Sequence, residues 1–120
     1  MTTLLLTGAS GLVGSRLLPR LIRDGAGCRA LLRGDLTRPA GVAGVRGDLG
    51  EPSSLREAVE GVDAVVHLAA LFRTNDDDAI WRAILDGTRN LVEAVQAFAP
   101  QARFVMVSTG KRLRRGRRAP

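Results

Sequence analysis

The sequence predicts an α/β domain built on a doubly wound parallel sheet. Two observations carry this. A short apolar run, Leu4-Leu5-Leu6, leads directly into Gly8, Gly11 and Gly14, the pattern of a strand entering a tight turn and then a helix. Apolar runs and amphipathic stripes then alternate along the chain, and strands alternating with helices imply parallel pairing through right-handed crossovers.

The elements follow in order. The first strand covers about residues 3–7 and the first helix about 11–24, with Leu17, Leu18, Leu21 and Ile22 as its apolar stripe. Pro19 removes a backbone donor within that helix and predicts a kink. Cys28 to Leu32 reads as the second strand, followed by a Gly- and Pro-bearing loop through Pro39. A short third strand lies near Val45. Pro52 and Ser53 open a helix to about Glu60, with Leu55 and Val59 on one face. Asp63 to Leu68 is the fourth strand, and Val65 and Val66 suit a buried parallel position. A longer helix lies within 77–98, where Trp81, Ile84, Leu85, Thr88, Leu91, Val92, Val95 and Phe98 form one stripe expected to be buried. Pro100 ends it, and Phe104 to Val107 is the fifth strand. The expected strand order is 3-2-1-4-5, with a ligand crevice where the order reverses between strands one and four.

Composition narrows the function classes. A chain of 120 residues suffices for one domain burying about two-thirds of its unfolded surface. No apolar run approaches the ~20 residues that cross a membrane, and Asp24-Gly25 closes the first helix too early for a secretory leader. The single cysteine, Cys28, excludes an internal disulfide framework and reads as a small buried strand residue. A cytoplasmic location is expected, and no metal site. The net charge of +6 comes entirely from residues 111–120, which hold Lys111 and five Arg and no acid. Residues 1–110 balance 12 Arg against 12 acids. The domain is therefore read as residues 1–110, with 111–120 a basic disordered tail.

The glycine triplet has the chemistry of a phosphate loop. Gly8 takes the tight turn, Gly11 lets backbone approach the pyrophosphate of a dinucleotide, and Gly14 lets the first helix pack closely. Amides at the helix start, with the helix dipole behind them, favour negative charge there. After the second strand, Arg33 could pair with the 2′-phosphate of NADP, the favoured reading, while Asp35 keeps NAD open. After the third strand, Asp48 could meet the adenine amino group with Leu49 against the ring, or form an Asx-type turn before the next helix. His67 falls inside the fourth strand and reads as a satisfied core residue rather than a catalyst. Ala69 and Ala70 suit a close backbone approach to a ligand. Ser108 and Thr109 place two hydroxyls at the crevice mouth.

Taken together, Thr7-Gly8-x-x-Gly11-x-x-Gly14, Gly47-Asp48-Leu49, the run Asp63 to Ala70, Asp86-Gly87-Thr88-Arg89-Asn90-Leu91 and the run Phe104 to Thr109 resemble the amino-terminal half of extended short-chain dehydrogenases/reductases, the NAD-dependent epimerase/dehydratase group. The resemblance covers about residues 2–110 and implies a Rossmann-like fold. It implies that Gly8, Ser10, Gly11, Leu12, Val13 and Gly14 hold the pyrophosphate and that Asp48 and Leu49 hold the adenine. Leu68, Ala69 and Ala70 would line the nicotinamide ribose, Ser108 would contact the cofactor side, and Thr109 matches the catalytic Ser/Thr. A complete homologue would act on a small-molecule carbinol or carbonyl.

The chain also departs from that pattern. The family's general acid/base is a Tyr followed four residues later by a Lys. This chain has no Tyr, and its one Lys, Lys111, directly follows the fifth strand. General acid/base catalysis contributes about 10²–10⁴-fold, so catalytic incompleteness is expected. Ile84 stands where the family often has Asn. After Gly110 the pattern gives way to Lys-Arg-Leu-Arg-Arg-Gly-Arg-Arg-Ala-Pro, which predicts a truncated or frameshifted reading frame. The fifth strand would then be an exposed edge carrying Phe104 and Met106, prone to self-association. Two other functions fit parts of the sequence: a non-enzymatic dinucleotide sensor, and an unspecific nucleic-acid contact through residues 111–120.

Overall fold

The computed structural model describes residues 2–9, 11–32, 41–68 and 77–107, excluding the side chains of residues 12 and 77–81. Five strands form one sheet: β1 (Thr3–Thr7), β2 (Gly27–Leu32), β3 (Ala43–Arg46), β4 (Ala64–His67) and β5 (Arg103–Met106). The order is β3-β2-β1-β4-β5, and every neighbouring pair is parallel. The expected order is therefore the observed one. Leu4, Leu5 and Leu6 of the central strand are all buried, as both faces of a covered parallel sheet require.

Helix α1 (Leu12–Arg23) lies on one side of the sheet. There Leu4, Leu6, Leu18, Cys28, Ala30, Leu32 and Val42 form a core. The second core lies on the other side, under α2 (Arg56–Val59) and α3 (Asp77–Phe98), and contains Leu5, Leu55, Val59, Val65, Leu91 and Val95. Alternate strand residues thus feed opposite cores, Leu5 one and Leu4 and Leu6 the other. Cys28 is buried, and burial pushes its thiol pKa up. Arg29 of β2 reaches across to the end of α2, where Nη1 donates to the carbonyls of Ala58 (2.8 Å), Glu60 (2.9 Å) and Glu57 (3.2 Å). A cation there satisfies carbonyls that the short helix leaves unpaired.

Several details differ from the sequence reading. The helix expected over 52–60 is a 3₁₀ turn, Pro52–Ser54, followed after Leu55 by α2. The Ser54 hydroxyl lies 2.7 Å from the Glu51 carbonyl and 3.0 Å from that of Asp48, which draws the first turn tight. Leu85 and Phe98, placed in the buried stripe of α3, are 56% and 41% exposed. The buried line runs instead through Gly87, Leu91, Ala94 and Val95, and Phe98 lies on the surface beneath the Arg56 guanidinium, 5.1 Å from its ring centroid. Helix α1, by contrast, spans Leu12–Arg23 with Pro19 inside it, close to the expected 11–24. On β5, Phe104 is half-buried against the second core, while Val105 and Met106 are exposed, so the open hydrophobic pair is not the expected one. No helix among the described residues is long and apolar enough to cross a membrane.

Candidate functional site

Thr7 ends β1, and the chain turns at once. Gly8 has φ +72°, the left-handed region that favours glycine. The Gly11 amide donates to the Gly8 carbonyl at 3.1 Å and closes the turn. Gly14, in the first turn of α1, sits directly on that backbone. A Cβ there would stand 2.5 Å from the Gly8 oxygen and 2.7 Å from both the Cα and the oxygen of Ala9. A Cβ on Gly11 would meet the Gly8 oxygen at 3.3 Å. The turn thus brings Gly8, Gly11 and Gly14 together, and each has its own steric reason to lack a side chain.

Helix α1 begins with Gly11 as its N-cap, so the cap brings no side chain to the first-turn amides, and that turn contains no acid. Donors left unpaired at the positive end of a helix dipole can receive an anion. Val13 lies on the outer side, 39% exposed. Leu12 opens the helix, and Ser10 lies outside the described residues.

The other strand ends converge on this turn. Leu68, just past β4, donates its amide to the Thr7 carbonyl (3.1 Å) and to Thr7 Oγ1 (3.0 Å), so the loops leaving β1 and β4 start side by side. His67 is 1% exposed. Its Nδ1 is 2.7 Å from Thr7 Oγ1 and its Nε2 is 3.0 Å from Thr88 Oγ1 on α3. Its ring also leans on Phe104, with centroids 6.0 Å apart. Both nitrogens face hydroxyls that either donate or accept, which suits a neutral imidazole, and burial lowers the His67 pKa. His67 is thus a satisfied core residue, as its position in the strand suggests. The Val107 amide donates to the His67 carbonyl at 3.1 Å, which brings the end of β5 beside the end of β4.

At the end of β3, Asp48 Oδ1 accepts from the Gly50 amide at 2.8 Å, the Asx-type turn that the sequence left as an alternative. The Asp48 amide donates to Ser54 Oγ at 2.9 Å. Leu49 is held from α3: Asn90 Nδ2 donates to its carbonyl at 2.7 Å, and a Cβ on Gly87 would stand 3.1 Å from Leu49 Cβ. Gly87 and Asn90 had no role assigned from the sequence, and Thr88 was read only as part of the buried stripe. Their signal lay in the run Asp86 to Leu91, where Gly87 and Leu91, four apart, share one helix face. Arg33, Ala69, Ala70, Ser108, Thr109 and the tail 111–120 lie outside the described residues.

A parallel sheet in this order, with a glycine turn closing its central strand, defines a Rossmann-like α/β domain. Residues 4–114 match the NAD dependent epimerase/dehydratase family, and the chain belongs to that family. It is similar to the ceramide reductase of Caulobacter vibrioides, with 35% identity over 108 residues, covering 87% of this chain and 33% of that protein. It is also similar to uronate dehydrogenase from Agrobacterium tumefaciens, with 30% identity and a TM-score of 0.74, covering 91% of this chain and 41% of that one. A variant of that enzyme complexed with NAD matches with the same identity and score. The chain spans about a third of the length of the curated relatives it matches.

Proposed function

We propose that this chain is the dinucleotide-binding portion of a dehydrogenase, reductase or epimerase of its family. The diphosphate of NAD(P) lies on the amides of Gly8 to Gly14. The observation that carries this is the contact of Gly14 with the Gly8 and Ala9 backbone, which sets an uncapped helix start against the turn. The NAD complex of a similar dehydrogenase supports the same ligand class.

Asp48 and Leu49 border the adenine, and Leu68, Ala69 and Ala70 border the nicotinamide ribose. Arg33 favours NADP over NAD, and Arg33→Ala narrows that preference. Ser108 and Thr109 face the substrate side, with Thr109 as the hydroxyl that would polarise a carbonyl. The bound cofactor supplies the hydride chemistry, while these residues orient it. These 120 residues hold no Tyr, so this portion supplies the dinucleotide site and no phenolic acid/base. Exposed Val105 and Met106 on β5 offer an edge for self-association, which sedimentation at rising concentration reads.

Thermal unfolding with and without NAD and NADP tests the binding. A ligand at 100 times its dissociation constant adds about 2.7 kcal/mol, and NADP raises Tm more than NAD at equal concentration. Folded protein whose Tm no dinucleotide moves contradicts the proposal.

A further inference from the structure

The bridge from Thr7 through the buried His67 to the partly buried Thr88 has no part in the proposed site, although it joins the elements that hold that site. Thr7 is the last residue before the glycine turn, and its hydroxyl receives the amide of Leu68, the first residue of the loop after β4. His67 Nδ1 lies 2.7 Å from that hydroxyl, and Nε2 lies 3.0 Å from Thr88 on α3. Two strand ends and one helix are thus joined through one imidazole. Every buried polar side-chain atom among the described residues has a partner. Losing one member of such a bridge therefore takes a hydrogen bond from a buried group.

We infer that Thr7, His67 and Thr88 form a tether that fixes the spacing between the loops leaving β1 and β4, so that the crevice accepts a whole dinucleotide rather than its adenosine half alone. The inference rests on the proposed dinucleotide site. Its physical basis is a division of labour. The glycine turn and the Asp48-Leu49 loop lie on the β1-β2-β3 side and serve the adenosine diphosphate half. Leu68, the first residue after β4, lies on the other side of the tether and borders the nicotinamide half. A shift between the two loops spares ligands that use one side and weakens ligands that span both. The three tether residues are positioning residues, acting through the backbone they hold.

The test compares NAD and ADP binding by calorimetry to the full chain and to Thr88→Val, which keeps the volume and removes the hydroxyl. Loss of one hydrogen bond predicts NAD binding weaker by about fivefold to tenfold, with ADP binding unchanged within about twofold. Thr88→Ser, which keeps the hydroxyl, restores NAD affinity. His67→Asn keeps a polar group at the Nδ1 position and loses the reach to Thr88, so it reproduces the selective loss should Thr88→Val fold poorly. A global packing defect lowers both ligands together. Equal losses for NAD and ADP, or no loss for either, overturn the tether while leaving the dinucleotide site standing. Folded wild-type protein that binds neither ligand overturns the site and the tether with it.

Discussion

Gly14 stands so close to Gly8 that a Cβ on the first would meet the carbonyl oxygen of the second at 2.5 Å. The neighbouring atoms are backbone, which cannot swing aside as a flexible side chain would. Gly14→Ala therefore pushes the start of α1 off the turn. Overpacking of this kind costs about 1–3 kcal/mol, read as a lower urea midpoint at unchanged m-value. Dinucleotide affinity falls as well, because the amides move together with the helix. Gly8→Ala, strained by its positive φ, costs about 1–2 kcal/mol.

His67 makes stability depend on pH. Burial lowers its pKa from the ordinary imidazole value of 6.5. Below that value the unfolded chain takes up a proton that the folded chain resists, so unfolding gains as pH falls. The contribution is fully present above pH 6.5 and is lost as pH drops through and below it. One such group gives a slope of at most about 1.4 kcal/mol per pH unit. Urea titrations of wild type and His67→Asn between pH 7 and pH 5 check this. The difference between the two narrows toward low pH, whereas parallel profiles would assign the acid sensitivity to the carboxylates.

Leu91 is fully buried where α3 meets the sheet and α2. Leu91→Ala opens a cavity there and costs about 2–5 kcal/mol in chemical denaturation. Leu85→Ala, on the exposed side of the same helix, stays within about 0.5 kcal/mol of wild type.

The pair Leu85 and Leu91 also shows how far the sequence could be read. Both recur at helical spacing, yet periodicity gives the phase of an apolar stripe and not its width. The structure buries a narrow line and leaves Leu85 and Phe98 outside it. Strand order was legible because a glycine turn after the first strand of an alternating chain marks the dinucleotide-binding doubly wound pattern, whose order is 3-2-1-4-5. The glycine turn was legible because backbone sterics act over a few residues. The 3₁₀ start at Pro52–Ser54 was not, since it depends on where the Ser54 hydroxyl finds its carbonyls. Nor were the partners of His67, because Thr7 lies 60 residues away and Thr88 lies 21. Only the folded sheet brings them to one imidazole.

The most direct test is a ¹⁵N-NMR titration of the full chain with NADP, following each backbone amide. Seating of the diphosphate on the glycine turn moves the amides of Gly8, Gly11, Leu12, Val13 and Gly14 first and furthest, with smaller shifts at Asp48 and Leu68. A well-dispersed spectrum in which those five amides stay fixed at saturating ligand contradicts it.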